Sequence, residues 1–427
     1  MIKAGLLQIY CDNPFYLRKK VRAYLLMNIA KVIIKNSDEM FVGQLMILRK
    51  IRSCFAILFS TTLWYDVSSE IIIEKGIYMD TKIVKLCNKH SDEAVLQEAG
   101  QIIKNGGLVA FPTETVYGLG GDALNRESSG KVYEAKGRPS DNPLIVHICD
   151  MNDLGKIVKY VPEKVKCLAE AFWPGPLTMI MEKSDIVPKE TTGGLSTVAV
   201  RMPSHPVALE FIKQAGGYVA APSANLSGKP SPTKAKYVIE DMNGRIDMIL
   251  EGDESEIGLE STIIDMTGEV PMILRPGYIT VEMLEKVLGQ VDTDKTILDI
   301  HCTDRPKAPG MRYRHYAPKG QLTIVEGSQQ KVTACINEWT EQKQEAGEKV
   351  GIIATEETFS CYCGDSVKSV GKRQDEDSIG KNLYRILREF DEEEVTVIYS
   401  ESFSEYGMGQ AIMNRLLKAA GHSIEYV

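Results

Sequence analysis

A series of short apolar segments, separated by turn residues, constrains the fold of this 427-residue chain more than any other feature. The segments GLVAFPT, NPLIVHI, TVAVRMP, YVAAPSA, DMILEG and STIIDM have the composition of short buried strands. The stretch TVYGLGGDA is predicted to be a loop, and SSGKVYEAKG a helix. Because strands outnumber helices here, we expect an α/β fold with a twisted mixed sheet and helices packed against it.

The last part of the chain has a different pattern. Three apolar strand candidates, LTIVEG, VGIIAT and VTVIYSE, are separated or followed by helical stretches such as SIGKNLYRILREF and GQAIMNRLLKAAG. Alternation of strands and helices is typical of parallel sheets that helices cover on both faces. The sequence therefore predicts a second, smaller domain with a Rossmann-like, parallel, three-layer α/β fold.

Composition indicates a globular protein of more than one domain. The chain is too long for one ordinary domain, and it is 44% hydrophobic and 25% charged. Its nine cysteines have no C-x-x-C spacing, so we predict no zinc site and expect a reducing, cytoplasmic environment. The net charge of −8 argues against general coating of nucleic acid, although it does not exclude a local basic cleft.

The first 78 residues differ from the rest in charge and composition. They contain 11 Lys+Arg and 6 Asp+Glu, a net charge of +5, which leaves −13 for the remainder. Their aliphatic runs are shorter than the roughly 20 apolar residues that a membrane span requires. We interpret residues 1–78 as an extension outside the functional unit, or as an artefact of the assigned start site. A membrane-associating segment and an extra packed layer are the alternatives.

The commonest catalytic motifs are missing from the sequence. It contains no Walker phosphate loop, no G-x-S-x-G nucleophile elbow and no H-E-x-x-H metal motif. The stretch GLGGDA matches G-x-G-x-x-A after a strand, but no helix begins immediately after it. We also identify no Asp or Glu in the position expected to bind a ribose hydroxyl. A dinucleotide site is therefore not predicted.

Small polar motifs at the ends of the strand candidates are the remaining functional signal. In KGRPSDNP, two cations lie two residues apart on a loop that two prolines make stiff, as expected of a preorganised anion site. Taken singly, each of these residues is explained as solvated surface, a turn former or a structural ion pair. Several strands that end in anion-binding groups together predict a ligand cleft. The residues are Lys136, Arg138, Asn142, Thr197, Arg201, Ser223, Asn225, Ser261 and Arg275.

These motifs together resemble a known family. From about Ser91 to Thr280 the chain resembles the YrdC domain, and with its C-terminal part it resembles the Sua5-type L-threonylcarbamoyladenylate synthases. FPTETVYGLG, AKGRPSDNPLIVHI, WPGPLT, VAVRMPSHP, APSANLSG, GLESTIID, LRPG and APGMRYRHYAP stand in the order of that family. The resemblance implies a YrdC-like catalytic domain at 79–290, a linker and active-site lid at 291–319, and a Sua5 C-terminal domain at 320–427.

The resemblance also implies a reaction. Members of the family are nucleotidyltransferases that join L-threonine, bicarbonate and ATP into threonylcarbamoyl-AMP and release pyrophosphate, with Mg²⁺ accompanying ATP and no resident metal. The product supplies the N6-threonylcarbamoyl group of tRNA adenosine 37 through the tRNA threonylcarbamoyl-transferase machinery. We therefore expect no membrane partner and a cytoplasmic location.

Roles for individual residues follow from the same resemblance. Lys136 and Arg138 are implied as catalytic cations. The implied threonine contacts are Thr115, His147, Arg201 and Ser261. The implied ATP contacts are Arg138, Asn142, Thr197, Ser223, Asn225, Ser231 and Arg275, and the implied lid residues are Arg312, Tyr313 and His315.

Two other functions stay open at this point. The cleft could serve a tRNA- or double-stranded-RNA-binding module without adenylate-forming activity, and a weak contact with tRNA is compatible with either function. The acidic balance beyond residue 78 argues against a broad basic stripe of the kind that binds RNA helices. A carbamoyl-transfer role in hydrogenase maturation is the third candidate, but the acylphosphatase-like and zinc-finger segments expected for it are missing.

Overall fold

A computed structural model describes residues 79–86, 92–294, 308 and 315–427. These residues belong to one compact unit. The predicted extension at 1–78 lies outside the described residues, and so do Arg312 and Tyr313 of the predicted lid. The division of the chain at residues 79–290, 291–319 and 320–427 stays a prediction.

The larger sheet confirms the predicted twisted mixed architecture. Within the described residues it has eleven strands in the order β1-β8-β2-β3-β7-β4-β6-β5-β9-β10-β11, with parallel and antiparallel neighbours. The strands are β1 (Lys82–Lys85), β2 (Val109–Phe111), β3 (Gly118–Asp122), β4 (Ile145–His147), β5 (Leu177–Glu182), β6 (Thr197–Arg201), β7 (Val219–Ala220), β8 (Met248–Glu251), β9 (Thr262–Asp265), β10 (Met272–Arg275) and β11 (Asp292–Thr293).

Seven helices accompany this sheet in the described part of the chain. They are α1 (Glu93–Lys104), α2 (Arg126–Lys136), α3 (Met151–Ile157), α4 (Glu163–Phe172), α5 (Pro206–Gln214), α6 (Ala235–Met242) and α7 (Val281–Leu288). Side chains alternate between the two faces of a strand. Val109 and Phe111 accordingly pack in one cluster with α1 and α5, whereas Ala110 belongs to the core that includes α2, α3, α4, α6 and α7.

Strand β3 was wrongly predicted to be a loop. Glycine weakens a strand because it packs no side chain, so three glycines in GLGGD favour a loop prediction. In the folded chain these glycines allow close packing instead. A Cβ atom at Gly120 would lie 2.8 Å from Val219 Cγ1, and one at Gly121 would lie 2.8 Å from Ser128 Oγ on α2. Tertiary packing therefore overrides the local preference.

The C-terminal part forms the predicted parallel three-layer domain. Its five strands have the order β14-β13-β15-β12-β16, and all neighbouring strands are parallel. Helix α8 packs on one face of this sheet, and α9 and α10 pack on the other. We call this part, β12–β16 with α8–α10, the C-terminal domain. Its elements are β12 (Gln321–Glu326), α8 (Gln329–Glu345), β13 (Val350–Ala354), β14 (Ser366–Ser369), α9 (Glu376–Glu392), β15 (Val397–Glu401), α10 (Met408–Ala419) and β16 (Ile424–Tyr426).

The two sheets are joined through one shared apolar cluster. Val116 and Leu259, from loops of the larger sheet, pack with side chains of α9 and α10. The helix layer on one face of the C-terminal domain therefore also contacts the loops of the larger sheet. In the part of the chain that the structure describes, we find no helix with both the length and the apolar character needed to cross a membrane.

Candidate active site

Most of the residues predicted from the sequence line a single cavity beside the larger sheet. They come from several strands, from the end of α2 and from the segment before β12. The structure thus brings side chains that are far apart in sequence to one place. The predicted residues that line the cavity are Thr115, Lys136, Arg138, His147, Arg201, Ser223, Asn225, Ser231, Ser261, Arg275 and His315.

The C-terminal end of α2 presents two of these cations. Gly137 ends the helix with a φ of 62°, and its N–H donates to the carbonyl oxygens of Glu134 and Tyr133. A left-handed residue at this position strongly favours glycine. Arg138 Nε and Nη2 then donate to the carbonyl oxygens of Asn142 (3.2 Å) and Pro143 (3.1 Å). Burial lowers the pKa of Arg138 to about 10, so this guanidinium is charged at neutral pH in a preset orientation.

Lys136 connects α2 to the Ser223–Asn225 segment. Its Nζ donates to the carbonyl oxygens of Ser223 and Asn225, and it lies 3.4 Å from Asn225 Oδ1. Ser223 Oγ donates to the same Oδ1. Burial lowers the pKa of Lys136, and the nearby positive charge of Arg138 adds to this effect. Three oxygen acceptors around one nitrogen indicate that Lys136 fixes the two walls of the cavity relative to each other.

His147 and Arg201 are neighbours on two parallel central strands. The register of β4 and β6 pairs these two residues directly. Arg201 Nη2 forms a buried ion pair of 2.7 Å with Glu114 Oε1. Burial raises the pKa of Glu114, but Arg201 outweighs this effect and the net shift is downward. The guanidinium is therefore anchored on one side by a carboxylate while it lines the cavity on the other.

Ser261 and Arg275 form a further wall. Arg275 Nε donates to the carbonyl oxygen of Ser261 (3.1 Å), and its Nη2 donates to Ser261 Oγ (3.2 Å). Ser261 Oγ also lies 2.7 Å from Thr178 Oγ1 on β5. Both residues are buried, so this hydroxyl and this guanidinium have fixed positions.

Glu260 is the only carboxylate among the described residues that line the cavity. Its Oε1 accepts a hydrogen bond of 2.6 Å from Ser231 Oγ, and its Oε2 accepts from Tyr384 Oη (2.9 Å) and Arg415 Nε (3.0 Å). Burial raises its pKa, but Arg415 and Arg275 outweigh this effect and bring the pKa to about 2. The carboxylate is therefore ionised at neutral pH.

Among the predicted residues that the structure describes, Thr197 and Asn142 do not line this cavity. Thr197 begins β6, four residues before Arg201, which corresponds to roughly 13 Å along a strand. Asn142 is buried, and its backbone carbonyl accepts the hydrogen bond from Arg138. Four basic side chains line the cavity, Lys136, Arg138, Arg201 and Arg275, against a single lining carboxylate, although Arg201 is also paired with Glu114.

Comparison with known proteins identifies the family of this chain. The Sua5/YciO/YrdC family model, described as telomere recombination, matches residues 101–277. A second model, described as the C-terminal domain of threonylcarbamoyl-AMP synthase, matches residues 279–421. The threonylcarbamoyl-AMP synthase of Bacillus subtilis is 48% identical over 332 residues, which cover 78% of this chain and 94% of that protein. The chain belongs to the Sua5/YrdC family of threonylcarbamoyl-AMP synthases.

Other members of the Sua5/YrdC family extend the similarity to three dimensions. The threonylcarbamoyl-AMP synthase of Pyrococcus abyssi is 47% identical over 333 residues, covering 78% of this chain and 96% of that protein. A crystal structure of P. abyssi Sua5 complexed with L-threonine has a TM-score of 0.76 at 45% identity, and the match covers 81% of this chain and 99% of that one. The family fold predicted from the sequence is therefore confirmed.

Sequence reasoning missed several residues that shape this Sua5/YrdC site. Glu114 lies between Thr113 and Thr115 in the recognised FPTETVYGLG motif, and its isolated charge in that uncharged segment was the available signal. Arg415 is the one charged residue of the mostly apolar helical stretch AIMNRLL, three residues after Ile412. A charge on the buried stripe of a helix needs a buried partner, but the sequence does not show that the partner is Glu260.

The buried histidines of the site predict a pH dependence of stability. Burial, together with Arg201 for His147 and Arg138 for His315, lowers the pKa of each from 6.5 to about 3. Below pH 6.5 the unfolded chain takes up protons at these residues and the folded chain does not. Stability is therefore full above pH 6.5 and falls with pH down to 3, by up to about 1.4 kcal/mol per pH unit for each histidine.

Urea unfolding at about pH 7 and about pH 5 measures this dependence. The variant His147→Gln should lose less stability between the two pH values than the wild type, because one histidine no longer contributes. An equal loss in both proteins would contradict the assignment.

Proposed function

We propose that this chain forms L-threonylcarbamoyladenylate, pyrophosphate and water from L-threonine, bicarbonate and ATP. The amine of threonine bonds to the carbon of bicarbonate, and water leaves. A carbamate oxygen then attacks the α-phosphorus, and pyrophosphate departs with the electron pair of the broken P–O bond. The observation that carries the proposal is the convergence of Lys136, Arg138, Arg201 and Arg275 on one cavity, because the reacting carboxylate, carbamate and triphosphate repel one another.

For L-threonine, we propose a subsite around Arg201, His147, Thr115 and Ser261. A guanidinium matches the geometry of a carboxylate, and Arg201 is held for this role by Glu114. The other three residues offer hydroxyl groups and a neutral imidazole, which suit the hydroxyl and amine of threonine. The threonine complex of P. abyssi Sua5 supports an amino-acid site in this fold.

For ATP, we propose contacts with Arg138, Arg275, Ser223, Asn225 and Ser231. Their preset positions reduce the ordering cost of binding a flexible triphosphate. Asn142 and Thr197 stay predicted ATP contacts, the former also supporting Arg138 through its backbone carbonyl.

We propose that Mg²⁺ binds together with ATP and is not held permanently by the protein. The described residues contain no group of three or more His, Cys, Asp or Glu side chains suited to a metal. Glu260, the one lining carboxylate, already accepts hydrogen bonds from three protein groups. Mg²⁺ commonly binds through substrate phosphates and few protein ligands, and in this site it would offset phosphate charge.

We further propose that Arg312, Tyr313 and His315 belong to a lid over the cavity. His315 and Tyr316 line it, and Tyr316 has a φ of 63°, an uncommon backbone conformation that the surrounding structure must maintain. A closed lid would protect the carbamoyl adenylate from water.

Replacing residues 312–316 by Gly and Ser should shorten the lifetime of the adenylate and lower turnover by at least about tenfold. Chromatography of the nucleotide product over time measures both quantities. Tyr406→Ser, at a tyrosine that is 83% exposed, is the matched control. Unchanged turnover and lifetime in the 312–316 variant would refute the lid.

The decisive experiment for the whole proposal is pyrophosphate release with each reactant omitted in turn. We expect release only when L-threonine, bicarbonate and ATP are all present, with label from bicarbonate in the nucleotide product. Salt-sensitive binding of tRNA without this reaction would favour the RNA-binding module instead. We also propose that the product passes to the tRNA threonylcarbamoyl-transferase machinery, and that the protein works in the cytoplasm.

A further inference from the structure

Two buried arginines of the C-terminal domain reach the walls of the cavity. Arg388 lies on α9 and Arg415 on α10, and both are almost completely buried. A buried cation is costly unless it is paired and hydrogen-bonded. The carboxylate partners of both arginines lie in the part of the chain that forms the larger sheet and its loops.

Arg388 holds the segment that leads into Ser231. Its Nη1 and Nη2 contact Asp241 Oδ1 (3.3 Å) and Oδ2 (2.5 Å), and its Nε donates to the carbonyl oxygen of Pro230 (3.0 Å). Lys229 Nζ contacts the same Asp241 carboxylate at 2.7 Å. The backbone immediately before Ser231 is therefore held by the bond to the Pro230 carbonyl, and the ion pair with Asp241 fixes the guanidinium that makes this bond.

Arg415 holds the segments around Glu260 and Arg275 in a similar manner. Its Nε donates to Glu260 Oε2 (3.0 Å), and its Nη1 donates to the carbonyl oxygen of Pro276 (2.6 Å). Pro276 directly follows Arg275, and Glu260 accepts the hydrogen bond of Ser231. Burial lowers the pKa of Arg415, but Glu260 outweighs this effect and raises it, so the charge of this pair is retained.

The two arginines thus share one arrangement. Each pairs with a carboxylate, and each donates to a backbone carbonyl adjacent to a cavity residue that we assign to ATP. Fixed donors of this kind set the position of a chain segment more rigidly than apolar contact does. We propose that Arg388 and Arg415 are positioning residues by which the C-terminal domain holds Ser231 and Arg275 in the geometry that binds ATP.

This inference rests on the proposed function of the cavity, since it assumes that ATP occupies the part near Ser231 and Arg275. It assigns the C-terminal domain a part in nucleotide binding. Three of the proposed threonine contacts, Thr115, His147 and Arg201, are not among the hydrogen-bond partners of either arginine, but the fourth, Ser261, directly follows Glu260, which Arg415 holds. Changes at Arg388 should therefore affect ATP selectively, whereas changes at Arg415 also reach the neighbour of Ser261.

The test uses the full chain with Arg388→Lys and Arg415→Lys. Each lysine keeps the positive charge but cannot reproduce the guanidinium's simultaneous bonds to a carboxylate and a backbone carbonyl. We measure the equilibrium Kd for ATP alone and the Kd for L-threonine alone. Each variant should bind ATP at least about tenfold more weakly, as expected when ATP loses a hydrogen bond to a displaced protein group. Arg388→Lys should bind L-threonine within about twofold of the wild type, because its partners include no threonine contact. A general structural defect that lowers the folded fraction would weaken the binding of both ligands by the same factor. A loss confined to ATP in Arg388→Lys therefore separates positioning from such a defect.

Lys236→Gln is the matched control. Lys236 of α6 pairs with Glu392 of α9 at 2.8 Å, also between the two parts, but both side chains are about half exposed and neither lines the cavity. This variant should bind ATP within about twofold of the wild type. The inference is refuted if both arginine variants retain wild-type affinity for ATP, or if Lys236→Gln weakens ATP as much as they do.

The design also separates this inference from the proposed function. A wild-type protein that binds ATP but releases no pyrophosphate with threonine and bicarbonate would refute the proposed reaction. The loss of ATP affinity in both arginine variants, with L-threonine affinity retained in Arg388→Lys, would still support the positioning role. Normal turnover in the wild type with unaltered ATP affinity in the variants would support the proposed reaction and refute the positioning role.

Discussion

Replacing Arg138 by Met should lower kcat/KM for threonine- and bicarbonate-dependent pyrophosphate release by at least about 100-fold. Arg138 is buried beside the cavity, and two carbonyl oxygens hold its guanidinium in place. Met fills a similar volume but supplies no charge to the triphosphate. Preorganised charge is usually the largest single contribution to transfer reactions of this kind, so the loss should appear mainly in kcat.

Arg126→Met provides the matched control for this experiment. Arg126 is at the other end of the same helix, α2, and its side chain is 74% exposed beside Glu190. Exposed ion pairs contribute little, so kcat/KM should stay within about twofold of the wild type. A decrease of less than about tenfold in Arg138→Met would contradict the assigned role.

The second large effect concerns stability and is expected for Glu114→Leu. Removing one partner of a buried ion pair leaves the other charge uncompensated, at a cost of about 3–5 kcal/mol. Both side chains of the Glu114–Arg201 pair are only 5% exposed. Urea unfolding at neutral pH measures the loss. The KM for threonine should rise as well, because Arg201 loses its anchor.

The pair should also show a pH dependence with a definite sign. The pKa of Glu114 in the folded chain lies below 4.5, so its contribution is full above pH 4.5 and decreases as the pH falls. Glu98→Leu removes an exposed carboxylate that pairs with Lys82 at 2.6 Å, and it should cost less than about 1 kcal/mol. Equal losses of unfolding free energy in both variants would contradict the prediction that the buried Glu114–Arg201 pair contributes more to stability than an exposed pair.

Local patterns in the sequence were sufficient to predict the strands that carry the site. LIVHI and VAVRM each have an apolar run with one charged or titratable side chain near its end, and these became β4 and β6 with His147 and Arg201 paired. The polar residues clustered as expected because strands of one sheet bring their ends together. Glycine content misled the prediction for β3, where close packing decides the structure.

Contacts between distant segments could not be predicted in the same way. Arg388 and Arg415 belong to helices whose apolar residues predict burial, but nothing local indicates that Asp241 and Glu260 are their partners. Thr197, which stays a predicted ATP contact, shows that distance along a strand is equally hard to judge from sequence. It shares a strand with Arg201, yet the length of β6 separates the two along the sheet. Pairing and distance both depend on tertiary structure, which a single sequence does not contain.

The register between β4 and β6 has a consequence for how the protein loses function. Val146 and Val200, one position before His147 and Arg201, point into the helix-covered core. A slip of β6 by a single residue would turn its core-facing side chains, such as Val200, toward the cavity. The same slip would bury the guanidinium of Arg201 in the apolar interior. Partly inactivated samples should therefore be mixtures of fully competent and inert molecules, with Vmax reduced and the Michaelis constant preserved.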